Sequence, residues 1–203
     1  MQANCYGGLF IAIDGPNGVG KSTLIERIGS VLRQNGIDVF LTKEPTSSAL
    51  GIFTRQEAEK IEYNSLACLV AADRYDHLDN VIIPHLKKGQ VVISDRYVLS
   101  SLVLQRMDDV EIGFIMSLNQ NIVLPDLQIV VIADPDTIHE RLAARQTLSR
   151  FERGNRAVQE LLFLEKGVEI LTEVGVKTIT IDNSDNLNTN VSILVNKILE
   201  VIK

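Results

Sequence analysis

Residues 9–23, LFIAIDGPNGVGKST, carry the strongest constraint in the chain: an apolar run ends in an aspartate and opens at once into a glycine-punctuated loop. The stretch Gly15, Pro16, Asn17, Gly18, Val19, Gly20, Lys21, Ser22 fits G-x-x-x-x-G-K-[ST] at every fixed position. Glycines let a backbone curl so that successive N–H groups converge on phosphate oxygens. A helix opening at Thr23 adds its N-terminal partial positive charge. In such a loop Lys21 reaches the β- and γ-phosphates of a nucleoside triphosphate, and the Ser22 hydroxyl ligates Mg²⁺. The motif requires a strand before it and a helix after it, and the sequence supplies both. It specifies nucleotide binding but no reaction class.

Four more apolar, β-branched runs predict strands at 37–42 (IDVFLT), 90–94 (QVVIS), 127–133 (LQIVVIA) and 177–181 (KTITI), besides 9–14. Their near-continuous apolarity is that of strands covered on both faces. Helical spacing fills the gaps. Leu24, Ile28, Val31 and Leu32 repeat until Gly36, a C-terminal cap. Pro135 suits the first turn of a helix carrying Ile138 and Leu142. Asp108 and Glu111 have capping-box spacing ahead of Ile112, Ile115 and Met116. Leu161, Leu164, Val168 and Leu171 mark one later helix, and Val191, Leu194, Val195 and Ile198 the last. Strands alternating with helices define an α/β domain with a parallel sheet and right-handed crossovers. Nothing in 1–203 reads as a linker or a repeat, so a single domain is expected.

Composition excludes several classes. Twenty Lys plus Arg against 26 Asp plus Glu leave a net charge of −6, a poor surface for a nucleic-acid polymer. Anionic ligands must meet local clusters of Arg, Lys or N–H groups. Cys5 and Cys68 have no metal-ligand spacing and read as small, reduced, buried side chains. The N-terminus MQANCYGG lacks the pattern of a signal peptide, and no apolar run approaches the roughly 18 residues of a membrane span. A cytoplasmic enzyme is expected.

Three constellations bear on the second substrate. Asp95-Arg96-Tyr97 follows a predicted strand, so Asp95 emerges on the ligand-binding edge near Ser22, where a carboxylate holds Mg²⁺ through its waters. Ala71-Ala72-Asp73-Arg74-Tyr75-Asp76-His77 sits in a predicted helix; Arg74 is either a partly buried cation awaiting an anion or a surface residue paired to Asp73 or Asp76. Arg141, Arg145, Arg150, Arg153 and Arg156 crowd 141–156, either as a mobile basic lid that closes over phosphates or as a solvated face paired to Glu140, Glu152 and Glu160.

With these residues assembled, the chain resembles the thymidylate kinase family from about Gly7 to Asn183. The anchors are IDGPNGVGKST (13–23), KEPT with Gly51 and Arg55, AADRYDH (71–77), ISDRYVLSSLVLQ (93–105) and SRFE (149–152). The resemblance implies a P-loop NTPase fold with five parallel strands in the order 2-3-1-4-5 and helices on both faces. It implies ATP as donor, Mg²⁺ and a homodimer. It implies acceptor contacts from Asp14, Asn17, Arg55, Val70, Arg74, Arg96, Ser101, Leu104 and Gln105. Arg74 and Arg96 would grip the monophosphate, while Ser101 and Gln105 lie against the base. The phosphate loop holds no Arg, which implies that Arg145 and Arg150 in the lid act with Lys21, Asp95 and Arg96 in catalysis. Pro45 is expected to follow a cis peptide bond, and adenine contacts are expected from the lid and the loop near Asn183. Departures are Val70 where the family has a stacking Phe, Leu104 for Tyr, Asn17 for an acid, and Thr46-Ser47 for Gly-Gly. The expected reaction is dTMP + ATP to dTDP + ADP. A deoxynucleoside kinase and a nucleotide-binding regulator without turnover are the alternatives.

Overall fold

The computed structural model describes residues 1–144, 150–151 and 157–202. Five strands form one parallel sheet: β1 (Leu9–Asp14), β2 (Val39–Lys43), β3 (Val91–Asp95), β4 (Leu127–Ile132) and β5 (Lys177–Asp182), in the order β2-β3-β1-β4-β5. The fold class and strand order expected from the sequence are both observed. In register, Ala12 of β1 faces Ser94 on one side and Gln128 on the other. One face of the sheet packs against α1 (Lys21–Gln34) and α9 (Leu187–Ile202) through Ile11, Ile13, Leu24, Ile28, Leu194 and Ile198. The opposite face, with Phe10, Ala12 and Val92, is covered by α3 (Tyr63–His77), α5 (Val98–Met107) and α8 (Ala157–Glu173). β1, β3 and β4, buried along most of their length, need no polar alternation and read as short continuous apolar runs, whereas the edge strands β2 and β5 are partly exposed, β5 at Lys177, Thr180 and Asp182.

The remaining elements are α2 (Ala49–Glu57), α4 (Ile83–Lys87), α6 (Ile112–Leu118) and α7 (Pro135–Ala143), with a π-helical turn over Leu78–Ile82 joining α3 to α4. Helix α1 ends as expected. Gly36 has φ 78°, its N–H bonds to Arg33 O at 3.0 Å, and Ile37 N bonds to Leu32 O at 3.1 Å, the paired bonds of a Schellman cap. That cap delays β2 to Val39, two residues later than its apolar run begins. Pro135 opens α7 behind Asp134, whose side chain accepts from Asp136 N at 2.9 Å.

Two expectations fail. Glu111, not Asp108, stands at the N-cap of α6, and it makes no side-chain cap bond. Asp108 instead closes α5 and turns toward Arg150. Both cysteines are free and exposed: Cys68 lies on the outward side of α3, whose buried stripe runs through Leu66, Ala67, Ala71 and Arg74. The low hydrophobicity contrast around α3 hid which face turns inward.

The carboxyl ends of the strands lie on one edge, where Asp14, Lys43, Asp95 and Asp182 lead into the loops that carry the chemistry. Gly15 turns the chain away from β1 at φ 153°, with its α-carbon pressed so close to β4 that a β-carbon would lie 2.0 Å from Val131 O.

Candidate active site

The phosphate loop leaves β1 at Gly15 and enters α1 through Gly20, which has a left-handed φ of 90°. Lys21 is 6 % exposed and folds back so that Nζ donates to the carbonyls of Gly15 and Pro16, each at 2.8 Å. Burial first, and then the Arg96 guanidinium, lower the Lys21 pKa to about 7, against the opposing pull of Asp95, Asp14 and Glu160. Val19 places its side chain in the core, while its carbonyl accepts from Asn183 Nδ2 at 2.7 Å and Arg141 Nη1 at 3.2 Å. Gly18, Gly20, Thr23, Arg141, Asn183 and Asp185 line a cavity of about 310 Å³ beside the loop. Asn17, Lys21, Ser22, Thr23, Asp95 and Arg96 line a neighbouring one of about 260 Å³.

Ser22 Oγ donates to Asp95 Oδ2 at 2.6 Å, so the hydroxyl and carboxylate expected to hold a metal stand side by side. This hard oxygen pair fits Mg²⁺, which takes one or two protein ligands and completes its shell with water and substrate phosphates.

The residues expected at the acceptor come together from distant segments. A cavity of about 200 Å³ is lined by Asn17, Arg55, Val70, Arg74, Arg96, Ser101, Leu104 and Gln105, eight of the residues singled out in the sequence. Asp14 is absent from that wall. It is 0 % exposed and accepts from Tyr97 N (3.2 Å), Ser100 Oγ (2.5 Å) and Gln128 Nε2 (3.0 Å). Glu44, Thr54, Ser100 and Phe151 also line the cavity. Position in sequence could have found Glu44 alone among these, since it follows the carboxyl end of β2. A larger groove of about 520 Å³ lies on the β2 side of Ser22 and Asp95, but it collects no arginine.

Arg74 is 1 % exposed and already has its anion. Nε donates to Glu44 Oε2 at 2.9 Å, Nη1 to Asn119 Oδ1 at 2.6 Å and Nη2 to Tyr97 O at 3.2 Å. Neither Asp73 nor Asp76 is its partner; Asp73 binds Thr46 N and Oγ1 at 2.8 and 2.6 Å. His77 Nδ1 lies 3.1 Å from the other Glu44 oxygen. The Glu44–Pro45 bond is cis. Tyr97 is 0 % exposed, and burial pushes its phenol pKa well up, with Glu44 adding to the effect.

Arg96 differs. It follows Asp95 with φ 75°, a backbone state that costs free energy in a non-glycine residue and clusters at functional sites. Nη1 donates to Ser100 Oγ at 2.9 Å and Nη2 to Asn17 Oδ1 at 2.6 Å, which ties the phosphate loop to this cavity. Arg55 bonds the carbonyls of Pro45 and Thr46. Among the described residues, Arg55 and Arg96 make no ion pair.

Of the basic stretch, Arg145, Arg153 and Arg156 lie outside the described residues. Arg150 forks onto Asp108, with Nη1 to Oδ1 at 2.7 Å and Nη2 to Oδ2 at 2.5 Å, and its backbone N donates to Glu59 at 2.9 Å. The hydrogen bond to Asp108 raises its pKa further. Its guanidinium lies 4.1 Å from the centre of the Phe151 ring.

A phosphate loop on the first strand of a parallel sheet, with a cation-lined cavity across from it, defines a P-loop phosphotransferase. Residues 13–192 match the family description "Thymidylate kinase". A "Probable thymidylate kinase" of Caldivirga maquilingensis is 39 % identical over 160 residues, 75 % of this chain and 78 % of the relative. One of Pyrococcus abyssi is 35 % identical over 154 residues, 72 % and 75 % of the two chains. A "Thymidylate kinase" of Finegoldia magna is 33 % identical over 180 residues, 80 % and 89 %. The chain belongs to the thymidylate kinase family and is a nucleoside monophosphate kinase. No helix among the described residues is long and apolar enough to cross a membrane.

Proposed function

We propose that this chain transfers the γ-phosphoryl group of ATP to the 5′-phosphate of dTMP, giving dTDP and ADP. The observation that carries the reading is the bond from Arg96 to Asn17, which puts a phosphate-binding guanidinium of the acceptor cavity against the phosphate loop. The acceptor brings its own anionic oxygen, so no strong base is needed, and catalysis rests on positioning and charge neutralisation. Lys21 and Arg96 face the transferring group. Arg55 and Arg96, which make no ion pair among the described residues, hold the acceptor phosphate. Arg74, neutralised by Glu44, forms a fixed polar floor.

Ser22 and Asp95, the latter through water, would hold Mg²⁺, which would supply positive charge to the donor phosphates. The cavity at Arg141, Asn183 and Asp185 seats the donor's base. Arg145 and Arg150 belong to a lid over 141–156 that closes on the phosphates. The working unit is a cytoplasmic homodimer. Gln105 and Ser101 read the pyrimidine edge, with Val70 and Leu104 giving apolar contact in place of rings.

The test is ADP release with thymidine, dTMP and a panel of monophosphates. A strong preference for dTMP over thymidine is expected. Thymidine turnover comparable to dTMP would replace this reading with a deoxynucleoside kinase, and absence of turnover with every acceptor would replace it with a regulator.

A further inference from the structure

β4 is an interior strand of sequence LQIVVI, buried from Leu127 to Val131, and its one polar residue, Gln128, is 0 % exposed. An aliphatic side chain would fill that place without a buried amide. Gln128 Oε1 meets no donor among the described residues, a state that costs free energy in a core. Packing therefore gives no reason for the glutamine.

The amide nitrogen gives one. Gln128 Nε2 donates to Asp14 Oδ2 at 3.0 Å and Ala12 O at 3.3 Å. The other Asp14 oxygen accepts the Ser100 hydroxyl proton at 2.5 Å. With its proton directed at Asp14, Ser100 Oγ turns its lone pairs toward Arg96 Nη1 at 2.9 Å. Each link has a fixed direction, because an ionised carboxylate only accepts and a guanidinium only donates. The chain Gln128–Asp14–Ser100–Arg96 thus runs from the sheet interior to the acceptor cavity. Asn17 fixes the other arm of the guanidinium at 2.6 Å. Two of the five Arg96 N–H groups are spent in this clamp, which leaves the others for a ligand.

We propose that Gln128 is a positioning residue for Arg96, acting through Asp14 and Ser100 to aim the guanidinium at the acceptor phosphate. Without the amide, Asp14 Oδ2 would lack its side-chain donor, its carboxyl plane would be free to rotate, and Ser100 would lose the acceptor that orients it. The assignment rests on Arg96 acting at the acceptor phosphate, as proposed above.

The test is a double-mutant cycle on the full chain with ATP and dTMP. Gln128→Leu should lower kcat/KM for dTMP about tenfold, as misaimed contacts do, and leave the KM for ATP unchanged. In an Arg96→Ala background the same change should cost less than about twofold, because the residue it acts through is gone. Ser100→Ala should behave like Gln128→Leu, and Ser100→Thr, which keeps the hydroxyl, should restore most of the activity. If Gln128→Leu does not fold, the Ser100 cycle decides alone. An equal loss in both backgrounds, a parallel rise in the KM for ATP, or no loss at all would overturn the positioning role. A neutral Gln128→Leu beside a crippled Arg96→Ala would overturn this inference only. A fully active Arg96→Ala would overturn it together with the acceptor assignment of Arg96.

Discussion

The two halves of the site are built by different means. The phosphate loop is one continuous segment that folds on its own backbone, with Lys21 held by carbonyls six and five residues earlier. On the proposed acceptor side the groups come from the phosphate loop, the segments after β2 and β3, and helices α2, α3 and α5, around an ion pair between residues 30 apart, buried at 1 % and 4 % side-chain exposure. A local loop can be damaged without harm to the fold. A buried, non-local ion pair cannot, because removing one partner leaves an uncompensated charge in the core.

The largest expected effect tests that contrast. Glu44→Ala should destabilise the protein by about 3–5 kcal/mol, since Arg74 and His77 lose their shared carboxylate. Urea unfolding measures it, and a loss below about 1 kcal/mol, the scale of an exposed pair, would erase the distinction between the halves. Lys21→Ala should leave the unfolding midpoint nearly unchanged and lower kcat by about two to three orders of magnitude. Turnover within about threefold of wild type would remove Lys21 from the chemistry.

Lys21 also makes a pH prediction. With its pKa lowered to about 7, the ligand-free amine has lost its proton above that pH, and bound phosphates restore it. ATP binding at pH 8 should therefore take up protons, measured by calorimetry in buffers of different ionisation enthalpy. The uptake should vanish in Lys21→Met; equal uptake in both proteins would place the proton elsewhere.

The proposed lid sharpens the comparison from the other direction. Replacing Arg145 and Arg150 together should lower kcat by about tenfold or more while changing acceptor binding little. Asp108→Ala separates two roles for Arg150. An anchor bound to Asp108 predicts a loss in Asp108→Ala equal to that in Arg150→Ala. An arginine that leaves Asp108 for phosphate predicts a loss in Arg150→Ala alone. The smallest effect is expected from Val70→Phe with Leu104→Tyr. A restored base–aromatic contact is worth on the order of 1–3 kcal/mol where a ring is newly stacked, and Phe151 already faces this cavity. A gain of only a few-fold in kcat/KM for dTMP is therefore expected, and a loss would mean that the cavity has no room for a second ring.

The same contrast decides what could be read from sequence. The central strands β1, β3 and β4 were legible because burial on both faces writes continuous apolar runs, the edge strands β2 and β5 through their β-branched residues, and the phosphate loop because its geometry is local. Eight of the nine residues expected at the acceptor line one cavity, and the signal that picked them was their order along the chain. The anion for Arg74 was not, because Glu44 lies on another element and nothing in the helix around Arg74 marks it. The donors that hold Asp14, as far away as Gln128, 114 residues along the chain, were not foreseen. Asp108 was read as a helix cap from its spacing to Glu111, yet its partner, Arg150, is 42 residues on. Pairings at such separations leave no periodic trace.

The close approach of Gly15 to β4 has a consequence for how this chain can vary. Val131 O belongs to the interior of the sheet and cannot retreat from a β-carbon that would lie 2.0 Å away. A saturation library selected for activity should return glycine alone at position 15. Gly36 has a left-handed φ but open space around it, so asparagine should survive there, and Gly7, with neither constraint, should accept a broad set of residues. The spectrum of surviving alleles would then record, position by position, which glycines the chain needs for clearance, which for backbone hand, and which for neither.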